Sequence, residues 1–159
     1  MSRWDGLTYE DRFWSRVDKS DDCWLWTRGR NGVGYGMYDA PNKVLAHRYS
    51  YEATVGPIPP GHELDHRPTC PKHCVNPDHL TLATHKQNQE NRAGGTTKNT
   101  SGFRGVSWWS ARQCWKGTVV HNGKACHVGY FSDPAEANAA VVAMRNRLFT
   151  HNQLDRAGA

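Results

Sequence analysis

Apolar residues recur at two different periods along this 159-residue chain, and the change of period marks out its elements. Phe13, Trp14 and Val17 fall at helical spacing in a polar setting, which predicts a short helix over 9–17. The glycines between Gly29 and Gly36 read as a hairpin turn, because neither a Lys-Ser pair nor a helix start follows them as a phosphate loop requires. Thr84-His-Lys-Gln87 has the form of a capping box, so a helix is expected from about Thr84 to Arg92. Beyond it the pattern turns to β-prone runs at Arg104 to Trp109, Trp115 to His121 and Ala125 to Phe131, with Asn122-Gly123 as a hairpin signal between the last two. Asp133-Pro-Ala-Glu136 then supplies an N-cap, a proline at the first helical position and a glutamate at the third. Ala137, Ala140, Val141, Met144 and Leu148 follow at helical spacing, a stripe suited to covering one face of a three-stranded sheet. The fold class is α+β, without internal repeats.

The stretch from Ala93 to Gly102 is small, polar and glycine-containing, and reads as a linker at 93–102 between domains at 1–92 and 103–159. Charge supports the division. Between Glu90 and Asp133 there is no acidic residue, whereas Arg92, Lys98, Arg104, Arg112, Lys116 and Lys124 all fall there. The formal charge of +5 and pI near 9.1 suit a polyanionic partner. A mean hydropathy of −0.80 leaves only modest cores, which a structural metal would help to hold. No apolar run approaches membrane length, so a soluble, non-secreted protein of the cytoplasm is expected.

Chemistry concentrates between Glu63 and Asn88. Three residues separate Cys70 from Cys74 and four more separate Cys74 from His79, a spacing that suits tetrahedral zinc. Cys23, ahead of Trp24 and Trp26, is the best candidate for the fourth ligand, and His73 is the local substitute. The competing reading, unrelated buried thiols or a disulfide, lacks the oxidising compartment that a signal peptide would imply. Asp65, His66 and Asn88 form a second constellation. Phosphodiester hydrolysis needs a base to deprotonate water, which histidine can supply, and a hard cation, for which aspartate and asparagine offer oxygen ligands. Arg48 could clamp a phosphate oxygen, with His47 a weaker candidate beside it.

The segment 23–92 resembles the HNH endonucleases of phage and bacterial genomes, a ββα-metal nuclease group related to the His-Cys box homing endonucleases. The resemblance is carried by Cys23-Trp-Leu-Trp26, Gly34-Tyr-Gly36, Ala46-His47-Arg48, Gly56-Pro-Ile-Pro-Pro-Gly61, Asp65-His66, Cys74-Val-Asn-Pro77, His79-Leu80 and Gln87-Asn-Gln-Glu-Asn91. It implies that His66 is the general base, that Asp65 and Asn88 hold a catalytic Mg2+ or Mn2+, and that Cys70, Cys74 and His79 bind structural Zn2+. His79 stands where many HNH enzymes carry the asparagine that orients the base, so that task falls to a backbone carbonyl or to Asn76.

Segment 102–150 looks like the DNA-binding domain of plant Apetala/ethylene-response factors. Gly102-Phe-Arg-Gly-Val106, Trp115, Asn122-Gly-Lys124, Val128-Gly-Tyr-Phe131, Ala135-Glu136-Ala137 and Ala139-Ala140 carry that likeness. It implies that Arg104, Trp109, Arg112, Trp115, Lys116 and Lys124 meet double-stranded DNA from the free sheet face, though Trp115 could instead pack under the helix. The combined expectation is a phage or mobile-element endonuclease, monomeric or homodimeric, that cuts double-stranded DNA. The alternative is a non-catalytic DNA-binding regulator that uses the zinc module as scaffold.

Overall fold

The computed structural model describes residues 6–39, 42–92 and 99–157. They form two compact units, Met1–His85 and Lys86–Ala159. The division falls ahead of the linker expected at 93–102, of which 93–98 lie outside the described residues. Hydrogen bonding explains the earlier break: Arg104 donates to the backbone of residues 89, 90 and 92, and the buried Glu90 accepts from the backbone of Thr150 and His151.

In the first unit, α1 (Tyr9–Trp14) begins at Thr8, whose hydroxyl accepts from the Asp11 amide at 3.1 Å while the Asp11 carboxylate accepts from the Thr8 amide at 3.0 Å. The helix ends earlier than its apolar spacing suggests, because Val17 pairs with Trp26 where β1 (Val17–Asp18) meets β2 (Leu25–Trp26). Phe13 is wholly buried against the rings of Trp26, Tyr38 and Tyr49 at 5.1, 5.1 and 4.6 Å. The expected turn at Gly29–Gly36 is present: Arg30 bridges to Gly36, and the Asn31 side chain accepts from the amides of Val33 and Tyr35. A Cβ at Gly36 would lie 2.6 Å from the Trp26 ring, so only glycine admits this approach. The chain continues through an antiparallel pair, β3 (Met37–Tyr38) and β4 (Val44–Leu45), directly into α2 (Ala46–Thr54).

β5 (His62–His66) and β6 (Leu80–Thr84) pair antiparallel, with His66 opposite Leu80 and His62 opposite Thr84. Leu64 and Leu80 pack with Tyr51 of α2 in a small core. The excursion between the two strands ends in a single 3₁₀ turn, Pro77–His79, capped by Asn76, whose side chain accepts from the Asp78 amide at 3.1 Å.

α3 (His85–Glu90) starts at the junction and is shorter than the expected span from Thr84 to Arg92. The second unit is otherwise a three-stranded antiparallel sheet in the order β7 (Val106–Trp109), β8 (Cys114–His121), β9 (Lys124–Phe131). Asn122 and Gly123 have φ of 51° and 74°, as the tight hairpin turn requires. Asp133 caps α4 (Pro134–Leu148) by accepting from the amides of Ala135 and Glu136. Ala137 and Val141 of α4 are buried against Val106, Val119 and Phe149, with Met144 and Leu148 at the margin, so the apolar stripe does cover one sheet face. Gly105, at φ 84°, permits that fit, since a Cβ there would meet the Thr118 carbonyl at 2.5 Å. A short α5 (Gln153–Ala157), which no sequence signal announced, is held by a bidentate Arg145–Asp155 pair at 2.6 and 2.8 Å.

Candidate functional site

The zinc constellation assembles within the first unit. One donor atom each from Cys23, Cys70, Cys74 and His79 lies within 4.8 Å of every other. Two turns bring Cys70 and Cys74 round, the Cys70 amide donating to Arg67 and the Cys74 amide to Pro71. Backbone bonds from Val75 to Trp24 and from Trp26 to His73 lay the distant Cys23 segment alongside. His73 therefore contributes its carbonyl and stays out of the cluster, so Cys23 is the fourth member.

The spacing suits a tetrahedral cation. Ligands at zinc–sulfur and zinc–nitrogen bond lengths would stand about 3.8 Å apart for S···S and about 3.6 Å for S···N. Cys23 and Cys70 sulfurs are 3.5 Å apart, and His79 Nδ1 lies 3.7, 3.3 and 3.7 Å from the sulfurs of Cys23, Cys70 and Cys74. Burial and the neighbouring thiols push Cys70 up to about 12 and burial raises Cys74, so these sulfurs become thiolates only with a cation among them. His79 is 2% exposed, and its Nε2 faces the Asp22 carboxylate at 3.3 Å, which fixes the ring with Nδ1 free to bind metal. Asp22 had no sequence signal beyond its place next to Cys23. The residues fit zinc in donor type, number and distance.

His66 ends β5 with its Nε2 3.0 Å from the backbone carbonyl of Cys74. A carbonyl can only accept, so Nε2 carries the proton and Nδ1 keeps the lone pair. Of the two groups that could orient His66, it is the carbonyl that does so; the Asn76 amide donates instead to the Asp22 carbonyl at 2.8 Å. Burial pushes the His66 pKa down, against the opposing pull of the Cys74 carbonyl and of Asp65. His47, the second residue of α2, sits edge-on to His66 with ring centres 4.9 Å apart, and Tyr35 lies 5.3 and 6.0 Å from the two rings. Asp65 precedes His66 on β5, Arg48 follows His47 on α2, and Asn88 lies on α3; all three are partly exposed.

In the second unit the sheet face away from α4 carries an aromatic and cationic patch. The Arg112 guanidinium lies over the rings of Trp109 and Tyr130 at 4.9 and 5.2 Å, and Lys116 Nζ is 5.9 Å from the Trp109 ring. Lys124 is exposed at the hairpin. Two residues expected at DNA have other surroundings. Trp115 packs on the core under α4, as the alternative reading had it. Arg104 directs its guanidinium to the carbonyls of Gln89, Glu90 and Arg92 at 3.0, 2.8 and 2.8 Å, because the end of α3 and the residues just beyond it leave these acceptors without intrahelical partners.

Residues 44–90 match the HNH endonuclease family, which gives the class: this segment, holding His47, Asp65, His66, Cys70, Cys74, His79 and Asn88, is an HNH endonuclease domain. The chain is 37% identical to Protein 3.8 of Escherichia phage T7 over 120 residues, covering 76% of this chain and 93% of that protein. With that coverage, the chain belongs to the family that includes Protein 3.8 of that phage, and residues 44–90 are the part of it that matches the HNH endonucleases. It is also 44% identical over 71 residues to Protein 7.7 of the same phage, and there spans only 54% of the relative's length. No solved structure matches. Among the described residues, no helix is long and apolar enough to cross a membrane.

Proposed function

We propose that the protein hydrolyses phosphodiester bonds of double-stranded DNA, leaving 5′-phosphate and 3′-hydroxyl ends. The observation that carries this reading is the bond from His66 to the Cys74 carbonyl, which leaves Nδ1 as a proton acceptor in a site where the imidazole stays uncharged at neutral pH. Asp65 and Asn88 offer oxygen donors of the kind Mg2+ or Mn2+ prefers, and a bound cation would neutralise charge on the phosphate and the leaving oxygen. Arg48, partly exposed beside His47, is suited to hold a non-bridging oxygen of the same phosphate. The Cys3His cluster holds Zn2+ as a structural ion and takes no part in the reaction. The second unit reads the duplex in the manner of the Apetala/ethylene-response factors, with Trp109, Arg112, Lys116 and Lys124 at the DNA and Arg104 and Trp115 supporting the domain from within. The biological setting is a phage or mobile-element endonuclease acting in the host cytoplasm. A regulator that kept the zinc module as scaffold would have no use for an imidazole aligned in this way.

Supercoiled plasmid incubated with and without Mg2+ tests the reading. The wild-type protein should nick or linearise it only with the cation. His66→Ala should keep its zinc and its melting temperature while cleaving roughly two to four orders of magnitude more slowly. Normal cleavage by His66→Ala would remove His66 from its role.

A further inference from the structure

We propose that His47 is a second substrate-contacting residue, whose Nε2–H donates a hydrogen bond to a non-bridging phosphate oxygen of the DNA strand on which His66 acts. The inference rests on the nuclease reading above and adds to it a residue whose environment is otherwise unexplained. His47 is 5% exposed, and its Nδ1 is sealed from solvent without a hydrogen-bond partner among the described residues. A buried, unpaired polar atom costs stability. A phenyl ring would fill the same place between Tyr35 and His66 without that cost.

The cost falls unequally on the two neutral tautomers. A buried lone pair without a donor is less costly than a buried N–H without an acceptor, so the proton belongs on Nε2. That nitrogen makes no hydrogen bond among the described residues and is not one of the buried unpartnered atoms, so it is the one open to an outside acceptor. Burial, with His66 and Arg48 adding to it, pushes His47 down to about 3, so the ring stays neutral and cannot compete as a base. Among the groups facing it, Tyr35 brings a phenol ring and His66 a second imidazole; no carboxylate contributes to its shift. A neutral donor 4.9 Å, ring to ring, from the base that activates water is placed for the phosphate under attack. Because the ring is locked by packing, the bond would need no reorganisation as charge develops there.

Two variants separate the donor from the ring. In the full chain, His47→Phe keeps the shape and loses the donor, whereas His47→Gln keeps an amide N–H near the position of Nε2. The expected result is that His47→Phe folds, retains one zinc and cleaves at saturating DNA and Mg2+ about 100-fold more slowly. His47→Gln should stay within about tenfold of wild type on the same scale. Cleavage by His47→Phe at the wild-type rate, or equal losses in both variants, would overturn the proposal. A second measurement does not depend on turnover: the Nε2–H resonance of His47, followed by NMR while a short duplex is added without Mg2+. A downfield displacement at saturation supports the contact, and an unmoved resonance overturns it. Were the wild-type protein to leave plasmid uncut, the nuclease reading would fall on that observation, and the NMR result would still decide whether His47 meets phosphate.

Discussion

Arg104→Ala distinguishes an arginine that reads DNA from one that holds a helix end. Its guanidinium donates to three carbonyls at 2.8, 2.8 and 3.0 Å, and its side chain also lies over the Phe149 ring at 5.7 Å. Hydrogen bonds from a charged donor are worth about 1.5–3 kcal/mol each. Gln89 and Arg92 are exposed, so water replaces the donor at those two carbonyls, while the residue between them, Glu90, is 5% exposed and has no such substitute. Full weight for one bond and a discounted weight for two gives a loss of about 3 kcal/mol, on the order of 10²-fold in the folding equilibrium of the second unit. Urea unfolding of the full chain, followed through amide exchange in β8 and β9, measures it. DNA affinity measured well below the new unfolding midpoint should change by less than a factor of about three. If affinity collapses while unfolding stays where it was, Arg104 points to DNA and the capping argument fails.

Further outcomes follow from the same geometry. Purified protein should hold one zinc per chain, and Cys74→Ser should lose the metal and the fold of the first unit together; substoichiometric zinc in folded material would refute the site. His47 is held near 3 in the folded state against about 6.5 in the unfolded chain, so its contribution to stability is intact above pH 6.5 and is lost as the pH falls towards 3. Across that window His47→Phe should flatten the decline by about 1.4 kcal/mol per pH unit relative to wild type, and parallel curves would show the depression to be absent. A chain ending at Arg92 keeps all four zinc ligands but deprives α3 of Arg104, Thr150 and His151, so it should bind zinc normally and fail to cut even at saturating DNA. Wild-type nicking by that fragment would show that α3 needs no support from the residues beyond Arg92.

The Cys3His cluster was legible in the sequence because soft ligands at short spacing exclude most other arrangements, and Cys23, 47 positions from Cys70, was already the preferred fourth member with His73 as the substitute. Cap signals were equally direct. Asp133-Pro134 begins α4 where its chemistry says it should, since a carboxylate before proline has few other ways to satisfy the first helical amides. What could not be read was any property that depends on which neighbour arrives from far away. Arg104 looks like every other basic residue of its segment until the end of α3 and Arg92 just beyond it present three open carbonyls. Glu90 looks like a solvated helical glutamate until Thr150 and His151 donate to it. The group that orients His66 is a main-chain carbonyl, which has no residue identity to read.

Cys74 ties the Cys3His cluster to the imidazole of His66. Its sulfur belongs to the metal cluster, its amide closes the turn with Pro71, and its carbonyl orients His66. The next residue, Val75, donates to Trp24 beside Cys23 and accepts from Ser50 of α2, the helix that also carries His47 and Arg48. One short stretch therefore fixes the Cys3His cluster, His66 and the helix that carries His47 against a single frame. Among the described residues of this unit, the strands outside β5 and β6 are only two residues long, so little else would hold the imidazole to the tolerance that the proposed proton transfer would require. Four donors closed around one ion would supply that rigidity without a large core. On the proposed reading, a metal that stays away from the substrate would still decide whether His66 works as a base, through the carbonyl of a residue whose sulfur is in the cluster.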